Sequence, residues 1–220
     1  MNTDSSSFFA EMSSVTSIDV EGLDASNATN MSHMFRGTGL TDIDFSKLES
    51  QNVTDMSYMF HGIKKTNTLD VSKLDTSSVK NMASMFEGAS FTSISFLDTL
   101  NPSASKFKTN EVTSMHYMFK DSTKLTSLDL SSFNTSNVKD FSGTFYGATG
   151  LKTLNLDGWD TGNATTMYIM FNSASSLTRL DLSHFDTKNV TTMQQMFEGC
   201  FDLEYLNVSG WSNEKVGNMS

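Results

Sequence analysis

Residues 125–147 read LTSLDLSSFNTSNVKDFSGTFYG, and the two halves of this stretch follow two different periods. In the first half Leu125, Leu128 and Leu130 make the pattern L-x-x-L-x-L, which puts Leu128 and Leu130 on one side of an extended chain. In the second half Val138, Phe141 and Phe145 recur at spacings of three and four, which suit one or two helical turns. Asn137 with Asp140 three residues on, like Asn52 with Asp55, fits the start of such a helix. Gly147 lies two residues past Phe145, where a glycine can end a helix in a left-handed conformation. The stretch therefore predicts a strand, a turn, a short helix and a second turn.

Outward from this unit the same pattern returns. Phenylalanines at 9, 35, 60, 86, 119, 145, 171 and 197 mark steps of 26, 25, 26, 33, 26, 26 and 26 residues. Eight copies of one unit thus account for nearly all of the 220 residues. Neither half of a unit can bury its apolar side alone, so neighbouring copies must stack. The expectation is a single repeat solenoid over 1–220, with a parallel sheet on one face and short helices on the other. Strands are expected at 18–20, 43–45, 69–71, 94–96, 128–130, 154–156, 180–182 and 206–208. The interior would combine strand Leu and Ile, the Phe or Trp at 133, 159, 185 and 211, and the helical Met and Phe.

One step departs from the period. The 33-residue step loses one residue before its strand and gains eight after it, at 97–106, where the only proline, Pro102, also lies. That segment reads as a loop inserted at a strand's end. The chain also stops soon after Met219, before an eighth strand's unit reaches its own phenylalanine, which reads as a piece of a longer repeat protein.

Composition narrows the function. The chain carries 15 Lys and Arg against 25 Asp and Glu, a formal charge of −10, which argues against a nucleic-acid partner. No run approaches the roughly 18 apolar residues of a membrane span. A single cysteine, Cys200, excludes an internal disulfide framework and any multi-cysteine zinc site. Thirteen of the 15 Met fall in the repeated helical slots, from Met31 to Met219, and Phe141 and Phe145 fill the same slots in one copy. Packing residues interchange in that way and soft-metal ligands do not. The four histidines occupy four different repeat positions, so neither a catalytic triad nor a metal site is expected, and no cofactor is implied.

The strand face holds the candidate binding residues. Its exposed central slot carries Asp19, Asp44, Asp70, Asp129 and Asp181, with Ser95, Asn155 and Asn207 between or after them. Parallel strands lie about 4.8 Å apart, so the first three aspartates would form an acidic ladder. Such a ladder suits a basic partner or a cation, or it accepts hydrogen bonds from neighbouring Ser and Thr. Arg179 and Tyr205 are the flanking residues of the types that dominate binding hot spots, and with Asp181 they could form a patch.

The units LDLSSFNTSNVKDFSGTFYG, LDLSHFDTKNVTTMQQMFEGC and LNLDGWDTGNATTMYIMFNSA resemble the 26-residue repeat of bacterial surface proteins and lipoproteins grouped with the BspA-like leucine-rich-repeat proteins. The resemblance runs over residues 9–219. It implies a leucine-rich-repeat solenoid located outside the cell on a bacterial surface, and the lack of any recurrent acid–base constellation argues against an enzyme. It further implies adhesion to a host or matrix protein or a glycan. The other reading is a structural spacer that projects another domain from the surface. Many members of that family carry a signal peptide and an anchor, and residues 1–8 (MNTDSSSF) contain no apolar signal segment.

Overall fold

The structure is a computed structural model that describes residues 2–217, so Met219 lies outside the described residues. Six strands of three residues each are formed: β1 (Thr68–Asp70), β2 (Ser93–Ser95), β3 (Ser127–Asp129), β4 (Thr153–Asn155), β5 (Arg179–Asp181) and β6 (Tyr205–Asn207). They pair in parallel as β1–β2, β3–β4 and β5–β6. Leu128 faces Leu154 and Leu180 faces Leu206, so residues one repeat apart sit side by side.

Each strand begins one residue earlier than the sequence pattern predicts. In every strand but β2, which ends on Ser95, the aspartate or asparagine in the central slot explains the early end, because its side chain bends the chain. Ser72 donates its backbone N–H to Asp70 Oδ1 at 2.8 Å, and Ser131 donates to Asp129 Oδ1 at 3.0 Å. At the two N-terminal positions the expected strands do not form. Ser17 and Asp42 make an isolated parallel bridge, and Phe45–Lys47 form a one-turn 3-10 helix capped by Asp44. The expected continuous sheet is therefore three short pairs. The insertion lies at the first interruption, between β2 and β3, while the second, between β4 and β5, falls in a regular 26-residue step.

The predicted short helices are a second correction. Among the described residues no α-helix occurs, and the only helical turns are Phe45–Lys47 and Pro102–Ala104 in the insertion. Val138, Phe141 and Phe145 instead lie on a ribbon of tight turns. The reason is a left-handed residue in the middle of each copy: His33, Tyr58, Ser84, Tyr117, Gly143, Ile169 and Gln195 all have φ between 48° and 58°. A right-handed helix cannot run through such a residue. Backbone N–H groups then alternate between two targets. Met118 N–H bonds Met115 O within its turn at 3.1 Å, while Phe119 N–H reaches Thr144 O of the next repeat at 2.9 Å. A column of parallel bridges runs through the same segment, including Asp55–Asn81, Ser114–Asp140 and Thr166–Thr192. No helix of the described residues is long and apolar enough to cross a membrane.

Asparagine also has a different task from the expected helix cap. Asn137 Nδ2 donates to Asn110 O of the preceding repeat at 2.7 Å, and Asn52 and Asn163 make the same bond to Ser26 O and Ser136 O at 2.7 Å. Asp140 accepts the N–H of Ser142 two residues on, which turns the chain locally.

The core is ordered by one ring per repeat. Phe9, Phe35, Phe60, Phe86, Phe119, Phe145, Phe171 and Phe197 stack face to face, with centroids 5.3–5.8 Å apart and planes within 14°. The insertion does not interrupt this column, since Phe86 and Phe119 stack at 5.3 Å across the 33-residue step. Met115, Met118, Met167 and Met170 are fully buried beside it, where flexible thioethers fill the gaps between rings. A second aromatic set contains Trp159, Phe185 and Trp211, and each indole N–H finds a backbone carbonyl, Leu130 O at 3.0 Å and Leu182 O at 2.8 Å. The insertion leaves the stack at Leu97 and is held at its root by Lys73, whose Nζ lies 2.5 Å from Asp98 Oδ2. Its tip exposes 95% of Leu100.

Candidate functional site

On the strand face the five aspartates share one local job. Each carboxylate accepts the backbone N–H two residues on: Glu21 on Asp19, Ser46 on Asp44, Ser72 on Asp70, Ser131 on Asp129 and Ser183 on Asp181, at 2.8–3.2 Å. For Asp44 the backbone and hydroxyl bonds from Ser46 hold the carboxyl below the usual carboxylate range. For Asp181 the Ser183 hydroxyl does the same, assisted by its N–H and by Asn207. All five carboxylates fix a local turn, which at Asp70, Asp129 and Asp181 ends a strand. Among the described residues no group of three or more His, Cys, Asp or Glu is arranged to hold a metal ion. Lys73 turns to Asp98 of the insertion rather than to the aspartate row.

Three of the sequence-predicted residues meet. The pairing of β5 with β6 sets Arg179 opposite Tyr205 and Asp181 opposite Asn207. The guanidinium carbon of Arg179 lies 3.6 Å from the Tyr205 ring centroid, and its Nη2 lies 3.9 Å from Asp181 Oδ2. Arg179 thus lies over the ring and beside a carboxylate, and its side chain remains 61% exposed. Asp129 belongs to the β3–β4 pair two repeats earlier, and Asp19, Asp44 and Asp70 lie further back across the break between β2 and β3. The structure gathers them into no common site with Arg179. Asp19 and Asp44 instead line a shallow groove of about 310 Å³ with Lys47 near the N-terminal end.

A larger depression lies on the turn ribbon, where the sequence marked nothing. A groove of about 710 Å³ is lined by Tyr117, Tyr146 and Tyr168 together with Lys120, Glu198 and Phe201. The three tyrosines come from three successive repeats and from three different positions within them, so no period connects them. Gly143 is what allows Tyr117 to join. A Cβ built on Gly143 would lie 2.2 Å from Tyr117 Cε1, so the ring lies over bare backbone of the next repeat. The Tyr117 and Tyr146 centroids are 6.2 Å apart, and Lys120 Nζ sits 5.2 Å and 6.0 Å from the two rings.

Charge in this groove is compensated internally. Lys120 Nζ lies 2.6 Å from Glu87 Oε1 and 3.4 Å from Asp121 Oδ2. Burial disfavours the ammonium, yet Glu87 and Asp121 together outweigh it and the pKa of Lys120 is raised. Burial likewise opposes ionisation of Glu87, and its contact with Lys120 helps to reverse that, so its pKa is lowered. Burial raises the pKa of Tyr117, so its hydroxyl stays protonated. Asn172, which also lines the groove, is buried, with its amide nitrogen shared between Gln195 O at 3.2 Å and Glu198 Oε2 at 3.1 Å. Its carbonyl oxygen accepts the Ser173 hydroxyl at 2.7 Å.

Among curated proteins none matches the chain. A family model does match, three times in overlapping stretches at residues 3–95, 92–175 and 151–220, which agrees with a chain built of copies of one unit. The chain therefore belongs to the family described as Mycoplasma protein of unknown function, DUF285.

Proposed function

We propose that this chain is a non-enzymatic recognition module of a bacterial cell surface, a leucine-rich-repeat-type solenoid of the BspA-like kind that adheres to a host or matrix protein or a glycan. The observation that carries the proposal is the Arg179–Tyr205 pair. Arg and Tyr are the residue types that dominate binding hot spots, and here they are stacked at 3.6 Å on paired strands and exposed to solvent. Arg179 is held by both the ring and Asp181, so a partner carboxylate would meet a guanidinium that has little freedom left to lose. The repeated hydrogen bonds between copies supply a rigid frame for shallow contacts summed over a long face. The aspartate row takes a supporting part, fixing strand ends and giving the face a negative field that favours basic partners.

The test is attachment of the protein to immobilised matrix proteins and to a glycan array, comparing wild type with the double variant Arg179→Ala, Tyr205→Ala. A loss of about tenfold or more with an unchanged melting temperature supports the strand-face reading. Attachment that survives the double variant counts against this face. A chain that attaches to nothing is better described as a spacer.

A further inference from the structure

Repeats of one chain can be compared with each other, slot by slot. On the strand face the exposed slots hold mostly Ser, Thr, Asp and Asn. The slot just after the stacked phenylalanine is different: it reads Arg36, His61, Glu87, Lys120, Tyr146 and Asn172 in successive repeats. Side chains of this variety serve no common packing need, and in the middle of the row they enclose the tyrosine groove. We propose that this groove on the turn ribbon is a binding site for a neutral oligosaccharide. It lies on a different part of each repeat from the strand-face patch and does not depend on it.

The chemistry of the lining selects the ligand. Aromatic faces are electron-rich and attract the weakly positive C–H bonds of a sugar ring, whose hydroxyls point outward from that apolar face. Tyr168, 36% exposed, supplies an open face, and Tyr146 and Tyr117 of the two preceding repeats extend the aromatic lining beside Lys120. Asn172 holds Glu198 and Ser173 in place among the lining residues, so oriented polar partners for sugar hydroxyls accompany the aromatic rings. An anionic ligand would find no free cation among the lining residues, since Lys120 is bound to Glu87 and Asp121, and it would face Glu198. A cationic ligand would be repelled by Lys120, whose ammonium lies 5.2 Å and 6.0 Å from the Tyr117 and Tyr146 ring centroids. A volume of about 710 Å³ lies within the usual range of roughly 300–1,000 Å³ for small-ligand sites.

Saturation-transfer NMR with maltotriose, cellotriose and chitotriose, and with a hyaluronan oligosaccharide as the anionic arm, tests the proposal. The expected result is transfer to the ring C–H protons of at least one neutral trisaccharide. Tyr168→Ala and Tyr146→Ala should each weaken that binding by about tenfold at unchanged melting temperature. The Arg179→Ala, Tyr205→Ala variant should bind the sugar as wild type does, which separates this site from the strand face. Gly143→Ala, which displaces the Tyr117 ring, should weaken binding as well. Absence of transfer from every neutral sugar at millimolar concentration overturns the proposal. So does binding that survives the Tyr146 and Tyr168 variants, or binding of the hyaluronan oligosaccharide alone.

Discussion

Thr135 donates its hydroxyl proton to the carbonyl oxygen of Asp160, 2.8 Å away and 25 residues later, inside the stack. Thr109, Thr161 and Thr187 make the same bond to Asn134, Asp186 and Ser212 at 2.8–3.0 Å. Each bond ties one repeat to the next through a buried threonine, and removing the hydroxyl leaves the partner carbonyl without that donor. Thr135→Val keeps the shape and removes the donor. It should lower stability by about 1–3 kcal/mol, with Thr135→Ser losing much less. Urea unfolding of the two variants reads the difference, and equal midpoints would show that the rung contributes nothing.

The phenylalanine column should show a strong dependence on position. Phe145 is fully buried between Phe119 at 5.8 Å and Phe171 at 5.4 Å, so Phe145→Ala opens a cavity and breaks two stacking contacts. A loss of about 3–5 kcal/mol is expected. Phe9 has a ring neighbour from the column on one side and is partly buried, so Phe9→Ala should cost clearly less. Thermal unfolding followed by calorimetry compares the two, and a Phe9 variant as damaged as the Phe145 variant would contradict the column as the source of order.

Lys120 and Glu87 make stability depend on pH in a defined direction. The folded-state pKa of Glu87 is lowered, so its contribution is fully present above the unfolded value of about 4.5 and fades as pH falls through the folded value. The pKa of Lys120 is raised, so its contribution persists to pH 10.5 and fades above that. Both groups are partly exposed, which keeps the effect modest. Melting temperatures of wild type and Glu87→Gln should differ at pH 7 and converge toward pH 3. A gap that stays constant over that range would remove the ion pair as its cause.

Cys200 should react slowly for a free thiol. Burial pushes its pKa up to about 11, and its Sγ–H donates to Phe171 O at 3.1 Å. At pH 8 the reactive thiolate is therefore scarce. Alkylation by iodoacetamide in native protein should run far slower than in urea and accelerate as pH rises toward 11. Rates equal to those of the unfolded chain at pH 8 would disprove the shielding.

Particular residues show where the sequence could be read and where it could not. The Phe ladder was legible because identical side chains at a fixed period have one economical explanation, and Phe119 keeps its place in the column even after the insertion. The spacing of Val138, Phe141 and Phe145 was read as a helix because apolar residues three and four apart suit one. The turn ribbon satisfies the same spacing, and what separates the two is the sign of φ at one residue per copy. His33, Tyr58 and Gln195 announce no positive φ as a glycine would, since neighbouring repeats impose it by taking the alternate N–H groups. The Arg179–Tyr205–Asp181 cluster could be read from register alone, because residues 26 apart sit side by side. The tyrosine groove could not, since Tyr117, Tyr146 and Tyr168 share no slot and meet only because Gly143 leaves room for a ring from the repeat before it.

By itself, then, the sequence determined the repeat, its length and the residues that point inward, because burial of apolar side chains follows a one-dimensional pattern. The tertiary structure decided the backbone path between those residues and the shape of the outer surface. Each repeat's hydrogen bonds are completed by its neighbour: Phe145 N–H is satisfied by Met170 O, and Asn137 by Asn110 O. A conformation that exists only once the next copy is in place cannot be inferred from the propensities of one copy.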